Sequence, residues 1–152
     1  MSERRVMTGV DESALVAFAG RLAEPARAGG MVHLVGELGA GKTTFARALL
    51  HALGVVGRVK SPTYSLIESY RFDGRDAHHV DLYRIAAPEE LDWLGLGDLW
   101  AGSPLVLIEW PERGAGRLPP PDIVLSLDHA GPVRNLTLTA STPAGLTYLA
   151  KA

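Results

Sequence analysis

The hydrophobic and polar positions of the chain follow two different periods, which predict an order of strands and helices. Residues 31–35 are apolar apart from one histidine, as expected of a parallel strand buried on both faces. Residues 43–53 then place Phe45 and Leu49 at helical spacing, and Gly54 is a natural stop for this helix. A glycine-rich segment lies between them, so a strand, a loop and a helix follow one another directly.

The segments on the N-terminal side predict one more strand and one more helix. Residues 6–9 form a short strand, and Asp11 is a plausible N-cap for the helix that follows. The apolar positions of this helix share one face and are Leu15, Phe18, Ala19 and Leu22. Gly29 and Gly30 are expected to end it.

The downstream segments predict further strands over residues 65–72, 78–83, 105–108, 123–127 and 133–138. Asp73-Gly74 indicates a hairpin between the first two, with a longer loop through Ala77 as the alternative. Pro88 opens a short helical segment, and residues 111–121 are expected to be a surface loop.

Together these elements predict a single α/β domain over residues 1–141 with a mostly parallel central sheet. Antiparallel late and edge strands and flanking helices complete it, and residues 142–152 are expected to be a loose C-terminal tail.

Composition narrows the possible classes of protein. The 152 residues suffice for one core, and 47% hydrophobic with 21% charged residues is typical of a chain that folds unaided. A net charge of −2 supplies no global attraction for nucleic acid, and the absence of cysteine excludes disulfides and thiolate zinc sites. Acidic residues interrupt the apolar stretch near the start, which argues against a secretory signal, so we expect a cytoplasmic protein.

The segment GELGAGKT, residues 36–43, has the spacing of a phosphate-binding P-loop, with Gly36, Gly41, Lys42 and Thr43 at the defining positions. Glycines allow the backbone N–H groups to wrap phosphates, and the following helix presents its positive end to them. Lys42 is expected to reach the outer phosphates and the Thr43 hydroxyl to bind Mg²⁺.

A P-loop also needs an acidic residue beside it, and Glu109 at the end of the apolar strand LVLIE has the usual position. Glu109 either holds Mg²⁺, directly or through water, or orients the attacking water; a solvated strand-end glutamate is the alternative. The next residue, Trp110, either covers the core or forms a wall of the nucleotide pocket.

The segment HHVDLYR, residues 78–84, places His79, Asp81 and Tyr83 on one face of a strand. Asp81 is a candidate for the metal side of the site or for a base acting on a hydroxyl or water, with a plain strand-edge carboxylate as the alternative. We favour a structural role over metal binding for His78 and His79, and Arg84 is either a phosphate contact or a surface arginine.

The segment KSPTY, residues 60–64, follows the P-loop helix, where nucleotide-dependent switches place a hydroxyl that senses the γ-phosphate and its metal. Thr63 is the candidate, and a turn without a catalytic role is the alternative.

Four segments together resemble the bacterial TsaE family, also called YjeE: GELGAGKTTFAR, SPTYSLIESY, HHVDLYRI and LIEWPER. Their order and spacing match the family over nearly the whole chain, except the extreme N-terminus and the segment after about residue 140. The resemblance implies a P-loop ATPase that binds ATP and Mg²⁺ and hydrolyses ATP feebly alone. It also implies partners, TsaD and TsaB, which transfer a threonylcarbamoyl group to an adenosine beside the anticodon of tRNA; whether this chain touches tRNA stays open.

The resemblance also assigns site residues. Those it places around the phosphates are Gly36, Gly39, Ala40, Gly41, Lys42, Thr43 and Thr44. Thr43 and Glu109 would serve the metal, and Asp81 would be a polar contributor to catalysis with Lys42. Trp110 would lie by the nucleotide, Thr8 and Arg134 would contact its outer part, and Thr63 and Tyr64 would belong to a switch segment. Tyr64 stands where many members carry Phe, and it keeps the aromatic ring.

Two other functions remain open on the residues alone. One is a small-molecule kinase, in which Asp81 deprotonates an acceptor hydroxyl and the arginines of residues 113–117 close over ATP. The other is a module that binds ATP without hydrolysing it. No Asn-Lys-x-Asp segment for guanine recognition is present, which argues against a GTPase.

Overall fold

The structure is a computed structural model that describes residues 3–56, 59 and 66–152. In this part of the chain the strands are β1 (Glu3–Val10), β2 (Gly30–Gly36), β3 (Ile67–Phe72), β4 (Arg75–Asp81), β5 (Leu105–Glu109), β6 (Ile123–Ala130) and β7 (Val133–Ala140). The α-helices are α1 (Glu12–Arg21), α2 (Ala23–Ala26), α3 (Lys42–Ala52), α4 (Leu96–Leu99) and α5 (Pro143–Lys151). Two 3₁₀ helices span Pro88–Trp93 and Pro111–Gly114.

One sheet joins the seven strands in the order β1-β7-β6-β2-β5-β4-β3. The four central strands run parallel, because β2 pairs in parallel with both β5 and β6, and β5 pairs in parallel with β4. The outer pairs are antiparallel, with β7 against β1 and β6 and with β3 against β4. The predicted α/β fold, a parallel centre with antiparallel late and edge strands, is confirmed.

The sheet is covered on both faces, which explains why β5 and most of β2 read as continuous apolar runs. On β5, Leu105 and Leu107 join the larger core cluster, which includes residues of α1, α2, α3 and α5. Val106 and Ile108 join the smaller cluster on the other face, under the 3₁₀ helix Pro88–Trp93 and α4. The strands β2, β4 and β5 therefore contribute side chains to both core clusters, and β6 contributes to the larger one.

Several predicted boundaries need correction. The β3–β4 hairpin turns tightly at Asp73 and Gly74, with Phe72 opposite Arg75, so the longer loop through Ala77 is wrong. The segment expected to end the first helix instead contains the short α2 before Gly29. The predicted surface loop 111–121 begins with a 3₁₀ helix, in which Gly114 is buried.

The expectation of a loose C-terminal tail is wrong. Residues 143–151 form α5, which Thr142 caps by accepting a hydrogen bond from the Gly145 N–H. Tyr148 is fully buried and donates its hydroxyl to the Gly29 carbonyl at 2.8 Å, just before β2. Asp122 binds both ends of this arrangement, because its carboxylate accepts from Thr142 at 2.7 Å and from the Met31 N–H at 2.8 Å. The helix is therefore fastened to the strand that leads into the P-loop.

Among the described residues, none of the helices combines the length and the hydrophobicity that a membrane crossing requires.

We expect Gly145→Ala to destabilise the protein although alanine favours helices. A Cβ at Gly145 meets the Asp122 carbonyl oxygen at 1.9 Å, so α5 has to move off the sheet. The free energy of unfolding should fall by about 1–3 kcal/mol, as for other overpacked sites. The control is Gly20→Ala in α1, where a Cβ meets nothing within 4 Å and stability should rise by about 0.5–1 kcal/mol. Urea unfolding of both variants measures this, and an unchanged or raised stability of Gly145→Ala contradicts the packing.

Candidate functional site

The carboxyl ends of three neighbouring parallel strands build the site. Asp81 at the end of β4 stands opposite Glu109 at the end of β5, and Glu109 stands opposite Leu34 near the end of β2. Because parallel strands end at the same edge of a sheet, the two carboxylates and the loop that leaves β2 at Gly36 meet there. The sequence placed these groups on separate segments up to 73 residues apart (36 to 109).

Glycines shape the loop between β2 and α3 for two different reasons. A Cβ at Gly36 would meet the Leu127 carbonyl oxygen at 2.5 Å, so this glycine lets the loop leave β2 close against β6. Gly39 and Gly41 have φ values of 77° and 112°, which side chains other than glycine rarely adopt. Gly41 immediately precedes α3, so the loop delivers the chain to the positive end of an 11-residue helix.

Lys42, the first residue of α3, has an unusually enclosed ammonium. The side chain is only 4% exposed, and its Nζ donates to the carbonyl oxygens of Gly36 and Glu37. The ammonium also lies 3.9 Å from the centre of the Trp110 ring. Burial lowers the pKa of Lys42, while nearby carboxylates, Glu109 foremost, oppose the shift.

The Thr43 hydroxyl and the Glu109 carboxylate form a direct contact. Thr43 Oγ1 donates toward both oxygens of Glu109, at 3.1 Å from Oε2 and 3.3 Å from Oε1. Glu109 is only 3% exposed, so it is not a solvated strand-end carboxylate. A hydroxyl and a carboxylate at this distance are oxygen donors of the kind that Mg²⁺ prefers.

Asp81 lies buried beside this pair. Burial is the main cause that raises the pKa of Asp81, and the neighbouring Glu109 charge adds to it. Its Oδ1 accepts a hydrogen bond from the Tyr83 N–H at 3.0 Å, which opposes the rise. Asp81 is therefore a buried carboxylate beside Glu109, and its catalytic role stays a prediction.

Aromatic rings close one side of the site. Trp110 has φ 57° and ψ 49°, a left-handed backbone conformation that turns the chain sharply at the end of β5. Its ring lies 5.1 Å from that of Tyr83, and the Arg113 guanidinium lies 5.2 Å from Tyr83 and 5.6 Å from Trp110. Trp110 is half-buried, so it partly covers the core and also faces the P-loop through Lys42.

These groups surround an open pocket of about 260 Å³. Of the residues selected from sequence, its lining includes Gly39, Gly41, Lys42, Thr43, Thr44, Asp81, Arg84, Glu109 and Trp110. Ala40 is fully buried beneath the loop, where it packs in the larger core cluster.

Other sequence-selected residues lie outside that pocket. Arg134 on β7 runs alongside the loop, since a Cβ on Gly41 would lie 3.4 Å from its Nη1. Thr8 is exposed on β1 within an irregularity between Met7 and Val10. Thr63 and Tyr64 lie outside the described residues, so their expected switch role stays a prediction.

Sequence reasoning missed three participants. His79 Nε2 lies 2.6 Å from Glu109 Oε2, and Tyr83 and Arg113 stack around Trp110. The alternation of β4 did place His79 and Tyr83 on the Asp81 face, which was the available signal. It could not show that Glu109 of the neighbouring strand lies against that face.

The residues of this site could hold a metal ion together with a bound phosphate. They do not form a complete metal site by themselves. Within the described ranges, no group of three or more His, Asp or Glu side chains could hold a metal ion. Thr43 and Glu109 would supply two oxygen ligands, and Mg²⁺ at nucleotide sites usually takes its other ligands from phosphates and water.

We expect Asp81→Asn to stabilise the protein at neutral pH in the absence of nucleotide and Mg²⁺. Since the pKa of Asp81 is raised in the folded protein, its stabilising protonated form is fully present below pH 3.8, the ordinary value. This stabilisation is lost as pH rises through the pKa of Asp81 in the folded protein, because the carboxyl group then ionises. Asparagine cannot ionise, so Asp81→Asn does not lose it. The melting temperature should rise by roughly 2–4 °C per kcal/mol gained at pH 7, with a gain that shrinks toward pH 4.

Thermal melts between pH 4 and 7 measure this difference. Asp128→Asn, at an exposed position on β6, controls for the removal of one negative charge. A lower melting temperature of Asp81→Asn than of the unchanged protein at pH 7 contradicts the expectation.

Comparison with known proteins identifies the family. A family model described as "Threonylcarbamoyl adenosine biosynthesis protein TsaE" matches residues 10–136. The tRNA threonylcarbamoyladenosine biosynthesis protein TsaE of Haemophilus influenzae is 48% identical over 115 residues, or 76% of this chain and 73% of that protein. The protein of the same name from Bacillus subtilis is 34% identical over 116 residues, or 76% and 72% of the two chains.

A solved structure, that of Bacillus subtilis YdiB, is similar over 99% of this chain and 94% of that one. Its TM-score is 0.81 at 27% sequence identity. From the matched model and these identities, the chain belongs to the TsaE family.

Proposed function

We propose that this protein binds ATP with Mg²⁺, hydrolyses it slowly, and thereby supports the threonylcarbamoylation of a tRNA adenosine by TsaD and TsaB. The observation that carries this proposal is the convergence of Lys42, Thr43, Asp81 and Glu109 in one pocket at the N-terminus of α3. The membership of the TsaE family supports the pathway, and the site chemistry supports the nucleotide.

The loop and Lys42 would bind the phosphates. The backbone N–H groups from Gly39 to Thr44 suit an anion at a helix N-terminus. The Lys42 ammonium, which donates to the Gly36 and Glu37 carbonyls in this structure, would exchange these acceptors for outer phosphate oxygens. Arg134, which lies alongside the loop at Gly41, would add positive charge near the phosphates.

Thr43 and Glu109 would hold Mg²⁺, which would supply positive charge against the negative charge of the phosphates. Glu109 would keep its orientation through the Thr43 hydroxyl and its other buried contacts. Asp81 lies close enough to affect the same charges and would orient or deprotonate the attacking water. Trp110 would form a wall of the pocket beside the nucleotide.

We further propose that the nucleotide acts as a signal to the partners. The described residues build one sheet around the site, so an effect of this domain on tRNA modification would pass through its surface. ATP and its metal would hold the Thr63 segment in one arrangement and release it after hydrolysis. With a net charge of −2, the chain would reach tRNA through TsaD and TsaB in the cytoplasm.

The packing of residues 113–117 favours an ATPase over a small-molecule kinase. A kinase needs this arginine-bearing segment as a mobile lid. A Cβ at Gly114 would meet side chains of Leu91 and Leu82 at 2.7 and 2.9 Å, so the segment is packed against the smaller core cluster. Arg117 binds Asp92 at 2.9 Å.

We expect Lys42→Ala to weaken the binding of ATP in the presence of Mg²⁺ by about 10- to 150-fold, the loss typical of a hydrogen bond to a charged group. Lys151→Ala is the matched control, because Lys151 is an exposed lysine on α5 paired with Glu24. Calorimetric titration of both variants and the unchanged protein measures the affinities. Equal affinities in all three would place the nucleotide elsewhere and remove the basis of the proposal.

We expect TsaD and TsaB together to raise the ATPase rate of the protein at least about tenfold, which corresponds to about 1.4 kcal/mol of barrier. Glu109→Ala should abolish the stimulated rate, because the metal loses a buried ligand. Phosphate release in the presence and absence of the partners measures it.

Two results oppose this expectation. If Glu109→Ala still supports tRNA modification in cells while Lys42→Ala does not, the protein binds ATP without needing hydrolysis. If a hydroxyl metabolite is phosphorylated at several turnovers per second, the small-molecule kinase is the better function.

A further inference from the structure

Glu109 is a flexible side chain that has to keep one orientation in order to act on a metal. A glutamate has several rotatable bonds, and fixing them costs conformational entropy unless contacts compensate. Thr43 Oγ1 contacts both carboxylate oxygens, at 3.1 and 3.3 Å, which is longer than usual for a hydrogen bond between a hydroxyl and a carboxylate. Within the described residues, the shortest contact of the carboxylate is the 2.6 Å between Oε2 and His79 Nε2.

His79 reaches Glu109 from the neighbouring strand. β4 and β5 pair in parallel, with His79 opposite Leu107 and Asp81 opposite Glu109. His79 follows Ala77 onto the α3 face of the sheet, the face to which Leu105 and Leu107 also point. Its imidazole therefore lies below the Glu109 carboxylate, on the side away from the pocket, and it is not among the residues that line that pocket.

Packing alone does not account for a buried histidine at position 79. The side chain is 0% exposed, and its Nδ1 has no hydrogen-bond partner among the described residues. A buried polar atom without a partner costs stability that an apolar side chain of similar size would not lose. The polar contact that offsets this cost is the one to Glu109.

The same contacts select the tautomer. A proton on Nδ1 would leave a buried donor unmatched, and it would turn the Nε2 lone pair toward a carboxylate oxygen 2.6 Å away. A proton on Nε2 instead donates a charge-assisted hydrogen bond to Oε2. Nε2–H is therefore the form that satisfies this arrangement.

We infer that His79 is a positioning residue for the metal: its Nε2–H holds Glu109 Oε2 and so fixes the carboxylate toward Thr43. The inference deepens the proposed function and rests on it. Hydrogen bonds from behind a metal ligand set its orientation, and their loss typically costs about 10- to 100-fold in metal affinity.

The adjacent histidine provides a matched control. His78 points to the opposite face of β4, is also buried, and its Nδ1 lies 2.8 Å from Ser69 Oγ on β3. His78→Phe therefore removes a buried histidine and one hydrogen bond from the same strand without touching Glu109.

The test compares His79→Phe, His79→Gln and His78→Phe with the unchanged protein. Glutamine carries an amide N–H₂ near the position of the histidine Nε2, so it can restore the donor. ATP affinity is measured by titration calorimetry, first in EDTA and then over a series of Mg²⁺ concentrations, with melting temperatures recorded for each variant.

The expected result is a rise of about 10- to 100-fold in the Mg²⁺ concentration required by His79→Phe. Its ATP affinity in EDTA should stay within about twofold, which is less than 0.5 kcal/mol. His79→Gln should recover most of the Mg²⁺ requirement, and His78→Phe should keep it. A structural role would lower melting temperatures without separating these variants in their Mg²⁺ requirement.

A second measurement needs no nucleotide and stands if His79→Phe does not fold. Long-range ¹H–¹⁵N spectra of the free protein distinguish the two imidazole tautomers, and His79→Gln identifies the resonance among the five histidines. The Nε2–H tautomer supports the inference, and an Nδ1–H tautomer overturns it.

An equal Mg²⁺ requirement in His79→Phe and His78→Phe also overturns the inference, while leaving the proposed function intact. If the unchanged protein itself shows no effect of Mg²⁺ on ATP binding, the proposed function fails first. The metal role of His79 then fails with it.

Discussion

The parallel pairing of β5 with β2 on one side and with β4 on the other is the constraint on which the site depends. This pairing brings the ends of three strands to one edge, and with them Asp81, Glu109 and the loop after Gly36. Both faces of the sheet are covered, so the strands cannot shift without exposing a core. The sheet thus holds Asp81 and Glu109 close together, although their carboxylates repel each other and lose hydration on burial.

The site concentrates buried charge, and its residues compensate one another only in part. The Lys42 ammonium lies between the loop carbonyls and Trp110, and Glu109 lies between Thr43 and His79. The raised pKa of Asp81 and the lowered pKa of Lys42 both result mainly from burial. Shifted pKa values of this kind are typical of functional sites, where a ligand of complementary charge reverses the shifts. A polyphosphate with its metal carries both signs of charge and would relieve both shifts.

Local patterns predicted most elements correctly, and the largest element that was missed, α5, is fastened by distant contacts. The P-loop, α1 with its Asp11 cap and the apolar β2 and β5 depend on neighbours in sequence, so their periods and turn residues suffice. The helix α5 was missed because its anchors are distant: Tyr148 binds Gly29, 119 positions away, and Asp122 binds both Thr142 and Met31. Thr142 as N-cap and Pro143 at the first position are local start signals for α5, but only the distant contacts fasten the helix to the sheet.

The sequence by itself determined which residue types are present for phosphate and metal chemistry, the order of the elements that carry them, and the face of β4 that holds His79 and Asp81. The tertiary structure alone decided which strand lies against that face and at which register. A period of two specifies a side but not a neighbour, because strand pairing depends on how the whole sheet closes its two cores. The contact of His79 with Glu109 and the place of Arg134 beside Gly41 follow from that closure.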